Sequence, residues 1–395
     1  MPRWTWYLAS AGAAAAVAAA AASPAAAGPA AGQTWPAFLI VAGLLLIGLV
    51  AAEDGLFAAA GQRLAAVCRS GSLLFSGVVA LVMVVTALLN LDTSVAFLTP
   101  VVVHTSRSRG EDGVVLVATC LLLSNAGSLL LPGSNLTNLI VLGHLHLSGG
   151  TFATRMGLPW VVAGVVTAGV VALLGRASRR GRASAEDASA EDASAKDASA
   201  EEASAEEASE RPVLGIGLVA IAAAIVLILT LSNPAPEVAG VGVAVALVRM
   251  LQGRTTATRA LEVLGLPVLT GLFGLAVGLG ALGRDWSLPA RALGHLDAWA
   301  TAGVGGLVSV LINNLPAASL LSARPPAHPL SLLVGLNLGP NLFFSGSLSW
   351  VLWYNAARAS GGRPDVGRTV RMGLVAAPLS MAAAVGALLL TSHTA

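Results

Sequence analysis

Long apolar runs interrupted at regular places by short polar clusters are the dominant pattern of the chain. Trp35 to Ala52, Ser72 to Leu89, Met156 to Leu174, Leu261 to Leu282 and Val370 to Leu390 are each long and apolar enough to predict membrane-spanning helices. Four interruptions stand apart from these. NLDTS (Asn90 to Ser94) and INNLP (Ile312 to Pro316) each split an apolar run into two arms and predict re-entrant hairpins. LSNAGSLLLPGSNLTNLIVL (Leu123 to Leu142) and GLNLGPNLFFSGSLSWVLW (Gly335 to Trp353) predict helices broken near Pro132–Gly133 and near Gly346. Hydrocarbon cannot satisfy the backbone groups a break sets free, at a cost of roughly several kcal/mol per group, so such a segment persists only buried in protein or beside a polar cavity.

Setting Gly133-Ser134 over Gly346-Ser347 places Ser128 against Asn341 and Ser124 against Asn337, so the same device occurs twice. Paired Gly/Pro-interrupted segments in corresponding halves are the sequence mark of a transporter built from internal repeats with a midplane site. Close helix packing through small residues is the plainer reading of the glycines, but it leaves the clustered asparagines without a cause.

Basic residues settle the orientation. Arg63 and Arg69, Arg107 and Arg109, the cluster from Arg176 to Arg182, Arg249 to Arg259, and Arg358 to Arg371 all fall on one side, which the positive-inside rule makes cytoplasmic. On that basis the first hairpin enters from inside and the second from outside. The expected architecture is all-α and integral to the membrane, with about ten to eleven spanning segments in two inverted repeats, each holding a re-entrant hairpin and a broken helix. Residues 1–34 form an amino-terminal span or signal-like region, 35–176 the first repeat and 212–395 the second. Between the repeats, 177–211 carries ASAED-type pentads with no apolar residue larger than alanine, which predicts a disordered acidic cytoplasmic linker.

Composition agrees. Of 395 residues, 56% are hydrophobic and 11% charged, a balance of a multi-pass protein of the cell (cytoplasmic) membrane. A net charge of +2 gives no reason to expect nucleic acid. Cys68 and Cys120 are in no CxxC pattern and are read as small buried apolar residues, so no metal site or cofactor is implied. His144 and His146 are placed at the membrane interface, and Glu53–Asp54 at a solvated helix end. No HExxH, nucleophile elbow or Walker-type lysine loop is present, so the expectation is a transporter and not an enzyme, and any use of ATP requires a partner.

LNLDTSVAFLTP (Leu89 to Pro100), SLLLPGSNLTNLI (Ser128 to Ile140), INNLPAASL (Ile312 to Leu320) and LGPNLFFSGSLSWVLW (Leu338 to Trp353) resemble the arsenite/antimonite efflux permease family. That family lies within the ion-transporter superfamily, which also holds sodium-coupled dicarboxylate symporters and sodium/proton antiporters. The chain departs from it at Leu91, where many members carry asparagine. The resemblance implies a scaffold that often dimerises, a transport domain that moves against it, and in some members a separate soluble ATPase.

Asp92 is the acidic residue expected near the midplane. A carboxylate there costs roughly 2.5–3.5 kcal/mol on insertion scales, and such residues mark proton and ion pathways. Asp92 is therefore the candidate proton carrier, with helix capping as its plainer role. Asn90, Thr93, Asn125, Ser128, Ser134, Asn135, Asn313, Asn314, Asn337, Asn341 and Ser347 are the candidate substrate ligands. Amides and hydroxyls without Arg or Lys suit the uncharged trihydroxide that arsenite forms near neutral pH. Proton-coupled arsenite or antimonite efflux follows, with sodium/proton antiport, sodium-coupled dicarboxylate symport and the membrane subunit of an ATP-driven pump as alternatives.

Overall fold

The structure is a computed structural model that describes residues 3–110, 113–143, 145, 147–190, 215–231 and 233–392, without side-chain detail for 3, 178–190 and 392. Among the described residues every regular element is helical. The first half runs through α1 (Arg3–Ala22), α2 (Pro24–Glu53), α3 (Leu56–Val67), α4 (Gly71–Leu88), α5 (Leu91–Ser108), α6 (Gly113–Gly127), α7 (Leu136–Leu142) and α8 (Gly149–Ala190). The second half runs through α9 (Ile216–Thr230), α10 (Ala235–Leu251), α11 (Ala257–Leu264), α12 (Leu266–Asp285), α13 (Leu288–Gly294), α14 (Ala298–Ile312), α15 (Asn314–Leu321), α16 (Pro329–Leu338), α17 (Ser349–Ala359) and α18 (Val366–Ser392).

The order repeats. A hairpin (α4–α5, α14–α15) is followed by a helix broken around a 3-10 turn (α6–α7 around Pro132–Ser134, α16–α17 around Gly339–Leu342) and then by a long helix (α8, α18). The halves are interlocked: α17 packs on α5 of the first hairpin, α7 packs on α15 of the second, and α8 lies along α18. Among the described residues six helical stretches are long and apolar enough to cross a membrane, against the ten to eleven spans expected. The difference lies in the shorter apolar helices such as Gly113–Gly127, Ile216–Thr230 and Ala298–Ile312. Fifteen residues rise only about 22 Å, so such a helix reaches part of the way through a hydrocarbon core of about 30 Å.

Three expectations change. α2 runs unbroken through Pro29 and Pro36, so the boundary expected at 34/35 falls inside one helix. α8 continues to Ala190, so the first part of the expected linker is helical; its remainder lies outside the described residues, as do His144 and His146. Glu53–Asp54 is not a solvated helix end. The Asp54 carboxylate accepts from the Gly217 N–H at 2.8 Å and pairs with buried Arg249, while Arg259 stands 3.6 Å from Glu53. This fastens the end of α2 to the start of α9 and the end of α10. Cys68 and Cys120 are buried and unbonded by disulfide, as expected.

Between α1 and α12 the backbones touch at glycines. A Cβ on Gly271 would lie 2.6 Å from the Leu8 carbonyl oxygen, whereas one on Gly28 would meet nothing within 4 Å. Gly271→Val is expected to destabilise the solubilised protein by about 1–3 kcal/mol through overpacking. Gly28→Ala should be neutral or slightly stabilising. Thermal unfolding of the two variants side by side checks this, and equal midpoints would mean that α1 does not sit on α12.

Candidate functional site

Each hairpin tip is built by an asparagine. In the first, α4 stops at Leu88 and Asn90 takes extended backbone as the cap of α5, its Oδ1 accepting from the Thr93 N–H at 2.7 Å. The cap is therefore Asn90, and Asp92 is relieved of that role; it stands half-buried in the first turn of α5. Thr86 Oγ1 donates to Ser94 Oγ at 2.7 Å and ties the two arms together.

In the second tip Asn313 takes φ +73°, the one positive φ outside glycine among the described residues. That conformation costs about 1–3 kcal/mol and needs support from its surroundings. The support comes from the second break: the Asn314 N–H donates to the Gly346 carbonyl at 2.8 Å, Asn313 Nδ2 lies 3.4 Å from the Ser345 carbonyl, and Ser345 Oγ donates to the Val310 carbonyl at 2.7 Å. The second tip is thus bound to the break of its own repeat. The first tip approaches its break by packing, with Gly127 seated on Thr86 and Met83.

The breaks solve the problem of freed backbone groups with side chains. Asn135 caps α7, accepting from the Thr137 N–H at 3.2 Å. Ser134 Oγ donates to the Ser128 carbonyl at 2.6 Å and accepts from the Leu131 N–H at 3.3 Å. Asn138 Nδ2 donates to the carbonyls of Ser128 at 2.8 Å and Leu131 at 3.1 Å. In the second break Trp350 Nε1 donates to the Pro340 carbonyl at 2.8 Å.

Asparagines then join the two breaks across the repeat boundary. Asn337 Oδ1 accepts from Ser128 Oγ at 2.6 Å and from Asn135 Nδ2 at 2.7 Å, and its Nδ2 donates to Asn138 Oδ1 at 2.8 Å. One turn along, Asn125 Nδ2 donates to Asn341 Oδ1 at 2.8 Å and Asn341 Nδ2 to the Leu122 carbonyl at 3.1 Å. Ser128, Asn125, Asn138, Asn337 and Asn341 are wholly buried. No charged side chain takes part in these bonds. Four polar groups nearby remain buried without a hydrogen-bond partner: Asn90 Nδ2, Thr93 Oγ1, Asn125 Oδ1 and Thr137 Oγ1. Such groups are costly to leave unmade.

Of the residues expected at the site, Asn125, Ser128, Asn135, Asn337 and Asn341 converge in one cluster. Asn90 and Thr93 form the first tip, and Asn313 and Asn314 the second. Ser134 serves its own loop, and Ser347 pairs with Ser349 apart from the asparagines. Asn138 belongs to the cluster although it was not among the expected ligands; its spacing of three from Asn135 was the available signal. The asparagines are closed on one another.

Two interlocked half-sets of broken apolar helices around a buried polar cluster define a multi-pass membrane protein and a secondary transporter. Residues 4–336 match the model of the citrate transporter family, and the chain belongs to that family. No curated protein matches it in sequence. Its structure is similar to that of the YdaH transporter of Alcanivorax borkumensis, described as having an unusual topology, at 16% identity over 92% of this chain and 87% of that one, with a TM-score of 0.52. That likeness is one of fold.

Proposed function

We propose that this secondary transporter moves arsenite or antimonite out across the cytoplasmic membrane in exchange for protons. The two repeats act in opposite orientation on one shared site. The observation that carries the reading is the neutral character of the cross-repeat cluster: amides and hydroxyls from Ser128, Asn125, Asn135, Asn337 and Asn341, with no cationic side chain among their partners. A trihydroxide both donates and accepts, so it can replace these bonds pair for pair, and the unpartnered oxygens of Thr93, Asn125 and Thr137 offer it further contacts. A multiply charged carboxylate meets no counter-charge there.

The family's description favours a second reading, sodium-coupled transport of citrate or a dicarboxylate, in which the same side-chain oxygens hold sodium and the sodium holds the anion. Proton carriage by Asp92 and a homodimeric scaffold belong to the first reading; a soluble ATPase partner would instead make the chain the membrane subunit of an ATP-driven pump. Uptake of arsenite, antimonite, citrate and succinate into everted vesicles, under a proton gradient and separately under a sodium gradient, tests the two. Metalloid uptake driven by protons without sodium is expected. Sodium-dependent citrate uptake without metalloid uptake would replace the first reading by the second.

A further inference from the structure

The two breaks differ in what covers them. Ser128 to Asn135 of the first are buried apart from Leu130, and the hairpin tip of the same repeat is sealed, with Asn90 at 2% exposure. In the second break Phe343, Phe344 and Ser345 are exposed, Phe344 at 53%, on extended and turn backbone. The flanking helices set its depth. α16 has ten residues and α17 eleven, about 15 Å and 16 Å of rise, so the link between them lies near the middle of a hydrocarbon core of about 30 Å. Irregular backbone at that depth does not face lipid; it is either buried in protein or beside water.

The neighbouring surface fits water. Val351, Tyr354, Asn355 and Arg358 of α17 are exposed and spaced as one helix face. That face begins apolar beside the break and gains an amide and then a guanidinium toward the arginine-rich side, which the positive-inside rule makes cytoplasmic. The opposite face is turned inward, with Trp353 Nε1 donating to the Val117 carbonyl at 2.7 Å. We propose that a water-filled vestibule runs from the cytoplasmic side along α17 to Phe343–Ser345, and that it is the inner mouth through which solute meets the site. Asn341 of the cluster lies two residues before Phe343, so the mouth opens beside the shared asparagines. The sealed first tip makes the opposite side closed in the same structure. The inference rests on the reading of the chain as a transporter and holds whichever solute is carried.

Labelling of single-cysteine additions in the full chain with a membrane-impermeant cationic methanethiosulfonate, in everted and in right-side-out vesicles, tests the proposal. Cys68 and Cys120 are buried, so the wild-type chain supplies the background. Leu379, exposed at the middle of α18, is the lipid-facing control at matched depth. In everted vesicles Ser345→Cys should react about a hundredfold faster than Leu379→Cys, the exclusion a charge meets in hydrocarbon. In right-side-out vesicles Ser345→Cys should fall to the rate of the control. Phe344→Cys, which removes no hydrogen bond, should behave in the same way and keeps the test decisive if Ser345→Cys impairs insertion. Labelling no faster than the control in everted vesicles would overturn the proposal, and reaction in detergent alone would point to a second copy seated on the break. Equal labelling from both faces would overturn the one-sided mouth. None of these outcomes involves a solute, so failure here is distinct from failure of the uptake experiment.

Discussion

Asn337→Ala is expected to abolish solute transport and to cost about 2–4 kcal/mol of stability, the larger structural effect of any single substitution near the centre. Its side chain is the one that both breaks share. Truncation takes from Ser128 Oγ, Asn135 Nδ2 and Asn138 Oδ1 the hydrogen bond each makes to Asn337 in a buried site. A buried polar group so stranded costs about 1–3 kcal/mol, tempered by measured values of ~0.6 kcal/mol for interhelical hydrogen bonds in bilayers. Ser347→Ala is the matched control, since Ser347 bonds only within its own loop. Thermal unfolding in detergent together with vesicle uptake separates the two variants. Wild-type uptake by Asn337→Ala would place the working site elsewhere.

Asp92→Asn should remove proton-driven transport while leaving folded, inserted protein. The reason is local. Asn90, not Asp92, holds the start of α5, so neutralising Asp92 takes no cap from the helix. The substitution keeps the size of the side chain and removes its ability to take up and release a proton. Solute exchange across vesicles with no gradient should survive, because the asparagine cluster is untouched. Proton-driven accumulation should fall to background. Full accumulation by Asp92→Asn would take this residue out of the coupling step, and loss of exchange as well would give it a part in binding.

Much of the site was legible because breaks in apolar runs have few physical causes. Pro132–Gly133 announces that the helix cannot continue, and serines and asparagines beside it announce that the freed groups will be met by side chains, whereas the second break, expected near Gly346, begins already at Gly339–Pro340. The partners across the site were not legible. Alignment of the repeats sets Ser128 over Asn341, yet Ser128 bonds Asn337 and Asn341 bonds Asn125, because equivalence between repeats carries no information about which equivalent positions touch. Asp54 was misread for a similar reason: its partners Arg249 and Gly217 are remote in sequence, and a carboxylate at a helix end reads the same whether water or a buried guanidinium awaits it. The length of α2 was hidden by Pro29 and Pro36, which end most helices but are tolerated where neighbouring helices cover the gap.

Coupling between solute and proton is most directly tested with the purified chain alone in liposomes, free of ATP and of any partner. Arsenite is loaded inside together with a pH-sensitive dye, and the vesicles are diluted into buffer without sodium or arsenite. Exit of arsenite should acidify the interior of vesicles holding the wild-type chain, and those holding Asp92→Asn should stay at constant pH. Arsenite exit with no change of pH, or no exit until sodium or an ATPase is supplied, would contradict proton-coupled exchange through the shared asparagine site.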